Sequence, residues 1–335
     1  MKYLTLSFNN VFLEACACVS GPKEKNGPLG KYIDYSFDSE RASQSSFEKG
    51  EKKMVNKCFE ILFKKAHIHI EKISLCIGGD LTNQIALANL SASDLPLSFI
   101  GIYSACSTMI LGMIMSSIFV NGNHADKVLA FSSSNYGTSE RQFRYPLEYG
   151  IFKKDTTTIT VSGAGSCIIG NTKSKIRINN CTIGKVEDVM WDNVSDMGTP
   201  MAYAAYKTIS NHLTNTNTKV DDYSLILTGD LSTLGSRVLK ELFDHEGINL
   251  HNHLDAGTMI YNIEDKTKFM GGSGSACISL ATFGFIINKM LNKKYKKVLL
   301  VGTGALHSST SVQQKASIPI IAHALEIEVI VWFIY

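Results

Sequence analysis

Cys106 is the residue of this sequence best placed to act as a nucleophile. The segment YSACSTM sets it between an apolar, strand-like run and a long uncharged run that is typical of a buried helix. The backbone N–H groups and the positive dipole end of a helix N-terminus stabilise a thiolate, and equally a bound carboxylate. Ser107 and Thr108 would lie in the same turn. The alternative is a small core residue, and the spacing alone leaves both interpretations open.

A general base for such a nucleophile is predicted at His253, in the segment HNHLDAG. An equally fair interpretation is a solvated polar loop that precedes a strand at residues 258–263. The Gly-rich segment GGSGSA (271–276), which contains Gly272, leads into a second uncharged run and could offer backbone donors to an anion. It lacks the pattern of a phosphate loop, and its glycines could instead permit close packing.

Two arginines lie three residues apart in the segment SSSNYGTSERQFRYPLEYG, although the chain has only five arginines against 28 lysines. A guanidinium group binds a carboxylate with two hydrogen bonds, which lysine does not do. Arg141 and Arg144 therefore predict a pocket for an acidic ligand. The alternative is that they pair with Glu140 and Glu148 and brace a loop.

The composition narrows the class of protein. The 335 residues include 33 Lys and Arg against 30 Asp and Glu, a balance that argues against a nucleic-acid-binding face. Eight scattered cysteines without a CxxC pair, and nine dispersed histidines, indicate neither disulfides nor a metal site. The chain opens without the apolar run of a signal peptide. We therefore expect a globular protein without a metal, a cofactor or a nucleic-acid partner.

Residues 95–123 contain no Asp, Glu, Lys, Arg or His, which raises the question of a membrane span. The same pattern occurs again, because SACSTMILGMIM (104–115) resembles SACISLATFGFI (275–286). Buried helices explain both copies together. The uncharged run is therefore predicted to be a strand at residues 97–103, a tight turn, and a buried helix from Cys106 to about Val120.

Other segments repeat in the same order. LCIGGDLTNQ (75–84) resembles LILTGDLSTL (225–234), and ADKVLAFSSSNYG (125–137) resembles YKKVLLVGTGALH (295–307). The order of strand, buried helix and strand is thus used twice. This predicts an α/β fold of two halves related by a pseudo-twofold axis, residues 1–170 and residues 171–335.

Nine segments together resemble the stage V sporulation protein AD family, in the order of that family and from about residue 11 to residue 328. They are GPKEKNGPLG (21–30), GDLTNQ (79–84), ACSTM (105–109), SERQFRYPLEYG (139–150), VSGAG (161–165), ILTGDLS (226–232), GGSGSAC (271–277), TGAL (303–306) and SIPIIAHA (317–324). The resemblance implies a thiolase-like fold, in which two α/β halves form a five-layered αβαβα stack. It also implies a homodimer.

The resemblance further implies how the site departs from that of an enzyme. Condensing enzymes of the thiolase superfamily use a Cys at the first buried helix, a His in a later loop and an Asn near the second buried helix. Cys106 matches the Cys and His253 the His, whereas Gly272 stands where the Asn is expected. Loss of such a donor costs on the order of 100-fold in rate, which argues against catalysis. Asn135 and Ala256 also stand where the family has a His and a Cys.

For function, the resemblance implies a protein peripheral to the spore inner membrane of a spore-forming bacterium. The family belongs to the apparatus that moves dipicolinic acid, pyridine-2,6-dicarboxylic acid, into the spore, together with other stage V sporulation A membrane proteins. This member would bind the ligand. The donors would come from residues 104–108 and the cations from Arg141 and Arg144, with Tyr103 or Tyr136 beside the ring.

Two other functions stay open at this point. One is an active thiolase-type acyltransferase that uses Cys106 and His253. The other is an assembly subunit that membrane proteins recruit. The apolar end VIVWFIY (329–335) is too short to span a bilayer, and predicts a strand, a membrane-surface contact or an unusual end. The lysines of NKMLNKKYKK (288–297) are predicted to form a solvated helix end.

Overall fold

The structure is a computed structural model and describes residues 3–143 and 153–330. Its strands are β1 (Leu4–Ser7), β2 (Phe12–Ser20), β3 (Tyr35–Ser36), β4 (Leu75–Gly79), β5 (Phe99–Gly101), β6 (Lys127–Ser134), β7 (Ile159–Thr160), β8 (Gly163–Gly170), β9 (Ile176–Ile183), β10 (Leu225–Thr228), β11 (His253–Asp255), β12 (Gly272–Ser273), β13 (Lys297–Ala305) and β14 (Ile320–Val329). Its helices are α1 (Pro22–Lys25), α2 (Phe47–Ala66), α3 (Ala86–Ala92), α4 (Thr108–Asn121), α5 (Tyr136–Phe143), α6 (Gly198–Thr216), α7 (Ser232–His245), α8 (Ala256–Ile260), α9 (Ser275–Leu280), α10 (Ile287–Leu291) and α11 (Ser309–Gln313). A π-helical segment, Ala281–Ile286, joins α9 to α10.

The strands repeat one arrangement twice. Across the sheet, the first set runs β2, β8, β6, β4, β5 and the second runs β9, β14, β13, β10, β11. In each set the first three strands are antiparallel neighbours, and the last three are parallel. The two sets meet where β2 pairs with β9, through only two pairs of residues. The predicted α/β class is confirmed, and the internal repeat of the sequence corresponds to this repeated strand order.

The uncharged stretch forms a short strand, a turn and a buried helix, as predicted. The helix α4 packs on β4, β6 and β8 of the first set and on β13 and β14 of the second. The helix α9 packs beside α4, whereas α2 covers the first set from outside and α6 covers the second. Because protein surrounds α4, its apolar surface needs no lipid. Among the described residues, no helix is both long enough and apolar enough to cross a membrane.

One predicted element is wrong. Residues 258–263 were expected to form a strand, but the chain forms the helix α8 there. The side chain of Asp255 lies at the N-cap and accepts a hydrogen bond from the backbone N–H of Thr258, at 3.2 Å. An acidic N-cap of this kind satisfies one of the free donors of the first turn. The prediction failed because a short apolar run has the same pattern in a helix as in a strand.

Candidate ligand-binding site

The turn that carries Cys106 is held by its neighbours. The backbone of Ala105 has a positive φ of 47°, which is strained for a residue other than glycine. Thr108 Oγ1 donates to the carbonyl of Ala105 at 2.6 Å and accepts from the N–H of Ser104 at 3.1 Å. Ser107 Oγ donates to the carbonyl of Ser104 at 2.6 Å. Ser107 and Thr108 are buried and fix the turn, so their hydroxyl groups do not face a ligand.

A glycine lets the second half of the chain approach this turn closely. A Cβ atom on Gly304 of β13 would lie 2.6 Å from the carbonyl oxygen of Ser104, well inside van der Waals contact. With glycine at this position the strand packs directly on the turn. As a result Ala305, the last residue of β13, lies in the wall of the same cavity as Cys106.

The cavity beside Cys106 is narrow and has a volume of about 40 Å³. This volume is far below the roughly 300 Å³ at which small-molecule sites begin, so a ligand can enter only if the side chains of the wall move apart. The residues that line it are Leu81, Tyr103, Ala105, Cys106, Ser139, Glu140, Phe143, Thr158, Thr160, Met197, Gly198, Met201, Asp230, Ser273, Gly274, Ala305 and His307. Both halves of the chain contribute, and the cavity lies at the carboxyl ends of the parallel strands. Open α/β sheets bind their ligands at this edge.

Asp230 is the acidic partner of Cys106. It follows β10 and is 1% exposed. Its carboxylate accepts hydrogen bonds from Thr303 Oγ1 at 2.7 Å, from the N–H of Gly274 at 3.1 Å and from the Cys106 thiol. Burial raises the pKa of Asp230, and the hydrogen bonds from Cys106, Thr303 and Gly274 act in the opposite direction. The thiol is therefore paired with a carboxyl group, which does not promote thiolate formation as an imidazole does.

The sequence contained a signal for Asp230 that the sequence-based predictions did not use. The repeated Gly-Asp-Leu segments place Asp80 after β4 and Asp230 after β10, at matching positions of the two halves. Asp80 accepts from the N–H groups of Thr82 and Ala88, both at 2.6 Å, and so holds its own loop. Asp230 reaches across to Cys106 instead. The repeat identified the position, but only the packing of the two halves shows what the second copy contacts.

Hydroxyl groups form much of the remaining wall. Thr158 Oγ1 donates to Ser273 Oγ at 2.9 Å. The hydroxyl of Ser139, a residue that is 4% exposed, has no hydrogen-bond partner among the described residues. Glu140 Oε1 lies 3.2 Å from Lys153 Nζ, which also donates to the hydroxyl of Tyr136 at 3.1 Å. A buried hydroxyl without a partner costs free energy, so Ser139 is suited to bind a polar group that enters the cavity.

The mouth of the cavity is aromatic. A surface groove shares the side chains of Leu81, Tyr103, Phe143 and His307 with the cavity. The rings of Phe143 and His307 have centroids 5.1 Å apart, and Tyr103 is 43% exposed. These three rings stand between the narrow interior and the open groove. Tyr103, which was predicted to lie beside the ring of a ligand, lies in the wall of the cavity.

The structure does not bring His253 to Cys106. His253 begins β11, is 6% exposed and lies outside the cavity lining. Its Nε2 lies 2.8 Å from the hydroxyl of Thr228. Burial lowers the pKa of His253 to about 3, with a smaller effect of Lys240, so the imidazole is neutral. The predicted pairing of His253 with Cys106 as base and nucleophile is therefore not found.

Gly272 and Asn135 also lie outside the lining. A Cβ atom on Gly272 would lie 2.4 Å from Ile260 Cγ2, so its side faces the core. The next residue of β12, Ser273, lines the cavity, since successive residues of a strand face opposite sides. Asn135 donates through Nδ2 to the carbonyl of Glu40 and accepts at Oδ1 from the N–H of Gly137, both at 2.8 Å. Asn135 therefore holds the start of α5.

The structure does not place Arg141 in the cavity lining. The guanidinium group of Arg141 forms an ion pair with Glu48 and lies 5.6 Å from the ring of Phe47, and its side chain is 38% exposed. This ion pair agrees with the alternative prediction that Arg141 braces a loop, although its partner is Glu48 and not the predicted Glu140. Arg144 lies outside the described residues. Tyr136 packs beneath Lys23 and Lys153 and is not part of the lining.

No set of three His, Cys, Asp or Glu side chains within residues 3–143 and 153–330 is arranged to hold a metal ion. The cavity itself offers hydroxyl groups, the thiol of Cys106, the imidazole of His307 and the carboxyl groups of Asp230 and Glu140. Its chemistry is that of a site for a small polar ligand.

With this geometry described, the chain can be compared with known proteins. Residues 3–328 match the family Stage V sporulation protein AD (SpoVAD). The chain is 40% identical over 319 residues to stage V sporulation protein AD of Bacillus subtilis (strain 168), an alignment that covers 95% of this chain and 94% of the relative. This chain belongs to the stage V sporulation protein AD family. The resemblance inferred from nine short segments is thereby confirmed.

Solved structures of OleA from Xanthomonas campestris share the fold of this SpoVAD family member. Two variants align with TM-scores of 0.62 and 0.63 at 15% and 14% identity, and each alignment covers 96% of this chain and 99% of the other. A third, solved with cerulenin, aligns with a TM-score of 0.58 at 14% identity over 96% of this chain and 98% of the other. At such low identity the likeness concerns the fold. It confirms the predicted thiolase-like fold.

Proposed function

We propose that this SpoVAD family member binds dipicolinic acid in the Cys106 cavity, as the ligand-binding component of the spore's dipicolinate uptake apparatus. The observation that carries the proposal is the cavity itself. It combines the hydroxyl of Ser139, which has no hydrogen-bond partner within residues 3–143 and 153–330, with a thiol that is paired to the carboxyl group of Asp230. Such a site favours holding a ligand over forming a covalent bond to it.

The ligand is a planar ring with two carboxylates. A flat ring would enter between the side chains of Tyr103, Phe143 and His307 at the mouth of the cavity. Because the interior is narrow, these side chains would have to move apart when the ligand binds. One carboxylate would accept a hydrogen bond from Ser139. The other would lie near the Cys106 turn, where a protonated Asp230 can donate to it. The Glu140 carboxylate is already offset by Lys153 at 3.2 Å.

The alternative is a thiolase-type acyltransferase, and one observation keeps it open. His253 lies outside the cavity lining, but His307 lines the same cavity as Cys106 and would have to serve as the base. Against this role, the Cys106 thiol forms a hydrogen bond with the carboxyl group of Asp230. A carboxylate beside the thiol opposes its ionisation, whereas acyl transfer requires the thiolate.

The proposal includes the setting of the family. The chain would form a homodimer and act at the spore inner membrane with the other stage V sporulation A membrane proteins. Light scattering of the purified chain tests the dimer. Copurification with the membrane proteins, when they are expressed together, tests the complex.

Calorimetric titration with dipicolinate tests the ligand. We expect saturable binding by the wild-type chain. Ser139→Ala should bind about 10-fold more weakly, because a hydrogen bond to a charged group is lost. Cys106→Phe should abolish binding by filling the cavity. Arg141→Ala is the matched control, since its side chain pairs outside the cavity, and circular dichroism checks that each variant is folded.

Two results would contradict the proposal. One is the absence of saturable heat with the wild-type chain, and the other is unchanged affinity in folded Cys106→Phe. Intact-mass analysis after incubation with acyl-CoA tests the alternative. An added acyl mass that Cys106→Ser abolishes would show an acyltransferase.

A further inference from the structure

The end of the molecule opposite the cavity carries a concentration of lysines. The parallel strands set the two ends apart: β6 begins at Lys127 and β13 at Lys297, whereas the cavity lies beyond their last residues. We use the term lysine face for six residues at the amino-terminal end, namely Lys31, Lys175, Lys289, Lys293, Lys294 and Lys296. These residues come from three separate parts of the sequence.

One part of the lysine face surrounds an aromatic pair. The rings of Tyr32 and Phe285 pack edge to face with centroids 5.0 Å apart. Lys289 Nζ lies 5.2 Å from the centroid of each ring, and Lys31 Nζ lies 5.3 Å from that of Tyr32. The pKa of the Tyr32 hydroxyl is lowered, first by its hydrogen bond with Lys289 and then by the charges of Lys289, Lys31 and Lys294. Lys31, Lys289 and Lys294 are therefore close enough together to act on the same hydroxyl group.

The second part of the lysine face lies where β14 ends. The backbone N–H of Val329 donates to the carbonyl of Lys296, and that of Ile330 donates to the carbonyl of Lys175, both at 2.9 Å. The next five residues of the sequence, 331–335, are the apolar and aromatic segment VWFIY. The most apolar segment at either end of the sequence therefore begins between two of these lysines.

Few carboxylates neutralise this charge. Among the described residues no ion pair forms with Lys31, Lys175, Lys289, Lys293 or Lys294, and Lys296 reaches Glu328 only at 3.9 Å. Elsewhere on the molecule the pairing is closer. Lys65 lies 3.0 Å from Asp34, and Lys127 forms an ion pair with Glu14. The positive charge of the lysine face is therefore not offset by nearby carboxylates, whereas the charges of Lys65 and Lys127 are.

An amphipathic groove runs beside the lysine face. Its lining includes Cys16, Phe283, Ile287 and Leu291, and Lys175 stands at its edge. The groove lies where β2 meets β9. Leu291 is 47% exposed, so an apolar side chain reaches solvent beside the cations. Apolar side chains next to lysines are typical of surfaces that lie in a membrane interface.

We propose that the lysine face binds an anionic lipid bilayer, and that the Cys106 cavity then opens away from the membrane. Lysine is a mobile point charge that suits a fluid surface of lipid headgroups, whereas recognition of a protein's carboxylates favours the bidentate geometry of arginine. The exposed side chain of Leu291 adds apolar contact with the interface. This proposal does not depend on which ligand the cavity holds.

Sedimentation with vesicles tests the proposal on the full chain. We expect binding to phosphatidylcholine vesicles that contain about 30% phosphatidylglycerol, no binding to phosphatidylcholine alone, and release at high salt. A triple variant, Lys289→Gln, Lys293→Gln and Lys294→Gln, should lose about 100-fold in affinity, at about 5-fold for each lysine near an anionic surface. The control changes the same charge elsewhere, through Lys49→Gln, Lys240→Gln and Lys266→Gln, and should bind as the wild type.

Three results would overturn the proposal. The first is no binding to the anionic vesicles, which would leave an acidic protein as the partner of this face. The second is equal loss in the two triple variants, which would show attraction by net charge alone. The third is full binding by the triple variant of the lysine face. Circular dichroism of both variants excludes misfolding as the cause of any loss.

Discussion

The thiol of Cys106 donates a hydrogen bond to the carboxylate of Asp230, so a residue of the first half is paired with a residue of the second. Thr303 and the N–H of Gly274 complete the set of donors around that carboxylate. All three partners donate, which means that an ionised Asp230 is satisfied by hydrogen bonds although it is buried. A dianionic ligand beside it would change that balance, because two like charges oppose each other at close range.

Binding of dipicolinate is therefore expected to take up a proton at Asp230. Burial already raises the pKa of Asp230, and the charge of the ligand raises it further. The affinity for dipicolinate should therefore improve as the pH falls and Asp230 becomes protonated. Titration in buffers of different ionisation enthalpy measures the proton directly. Asp230→Asn should bind without proton uptake and without this pH dependence. Identical proton uptake in wild type and variant would contradict the assignment.

Stability should fall as the pH rises towards 8, because of Glu51. Burial, together with the Asp80 carboxyl, raises the pKa of Glu51 to about 8. An acid whose pKa is raised on folding holds its proton more tightly in the folded state, so ionisation above the unfolded pKa destabilises the fold. Between pH 7 and pH 8 the Glu51 carboxyl lowers the free energy of unfolding by up to about 1.4 kcal/mol per pH unit.

Chemical denaturation at several pH values measures this slope. Glu51→Gln should unfold with a flatter dependence on pH across that interval, whatever its stability at pH 7. The exposed Glu71→Gln is the control and should keep the slope of the wild type. A variant at Glu51 with an unchanged slope would show that another group titrates.

The approach of β13 to the Cys106 turn predicts opposite effects of two glycine substitutions. Gly304→Ala places a Cβ atom 2.6 Å from the carbonyl oxygen of Ser104 and should destabilise the fold by about 1–3 kcal/mol while weakening ligand binding. Gly112→Ala lies inside α4, where the nearest atoms are 3.5 Å and 3.7 Å away. It should stabilise the fold by about 0.5–1 kcal/mol. Thermal denaturation compares the two, and equal effects would argue against this geometry.

The aromatic mouth should control the rate of ligand exchange more than the affinity. Phe143→Ala removes one ring of the pair with His307, so both association and dissociation of dipicolinate should become faster while Kd changes little. Stopped-flow measurements follow the two rates. Phe285→Ala, at the opposite end of the molecule, is the control. Unchanged rates in Phe143→Ala would mean that the ligand enters by another route.

The fold and the position of Cys106 were predictable because they depend on patterns within short segments. Apolar runs that end in small residues occur twice, and the uncharged helix of each copy can be stable only inside the protein. The sequence therefore predicted the repeated α/β architecture and the turn that carries the thiol. The resemblance to the SpoVAD family, based on motifs along the whole chain, was confirmed.

The rest of the cavity depends on contacts that no local pattern contains. Gly272 and Ser273 differ by one residue, and the alternation of a two-residue strand turns one to the core and the other to the cavity. His253 stands in a polar segment, yet it begins a buried strand. Asp230 reaches Cys106 only because the two halves pack together. Of the eight residues first proposed for the site, Cys106 lies in the lining of the cavity.

The position of α4 has a consequence for how the chain folds as it is made. Synthesis completes β2 to β8 before any strand of the second set exists, and at that stage α4 has only the first of the two strand sets to pack against. Its other side, which later contacts β13 and β14, stays exposed and uncharged. Exposed apolar surface of this kind attracts chaperones and aggregates at high concentration. The first half of the chain should therefore be insoluble on its own, and the ribosome-bound intermediate needs protection until the second half has emerged.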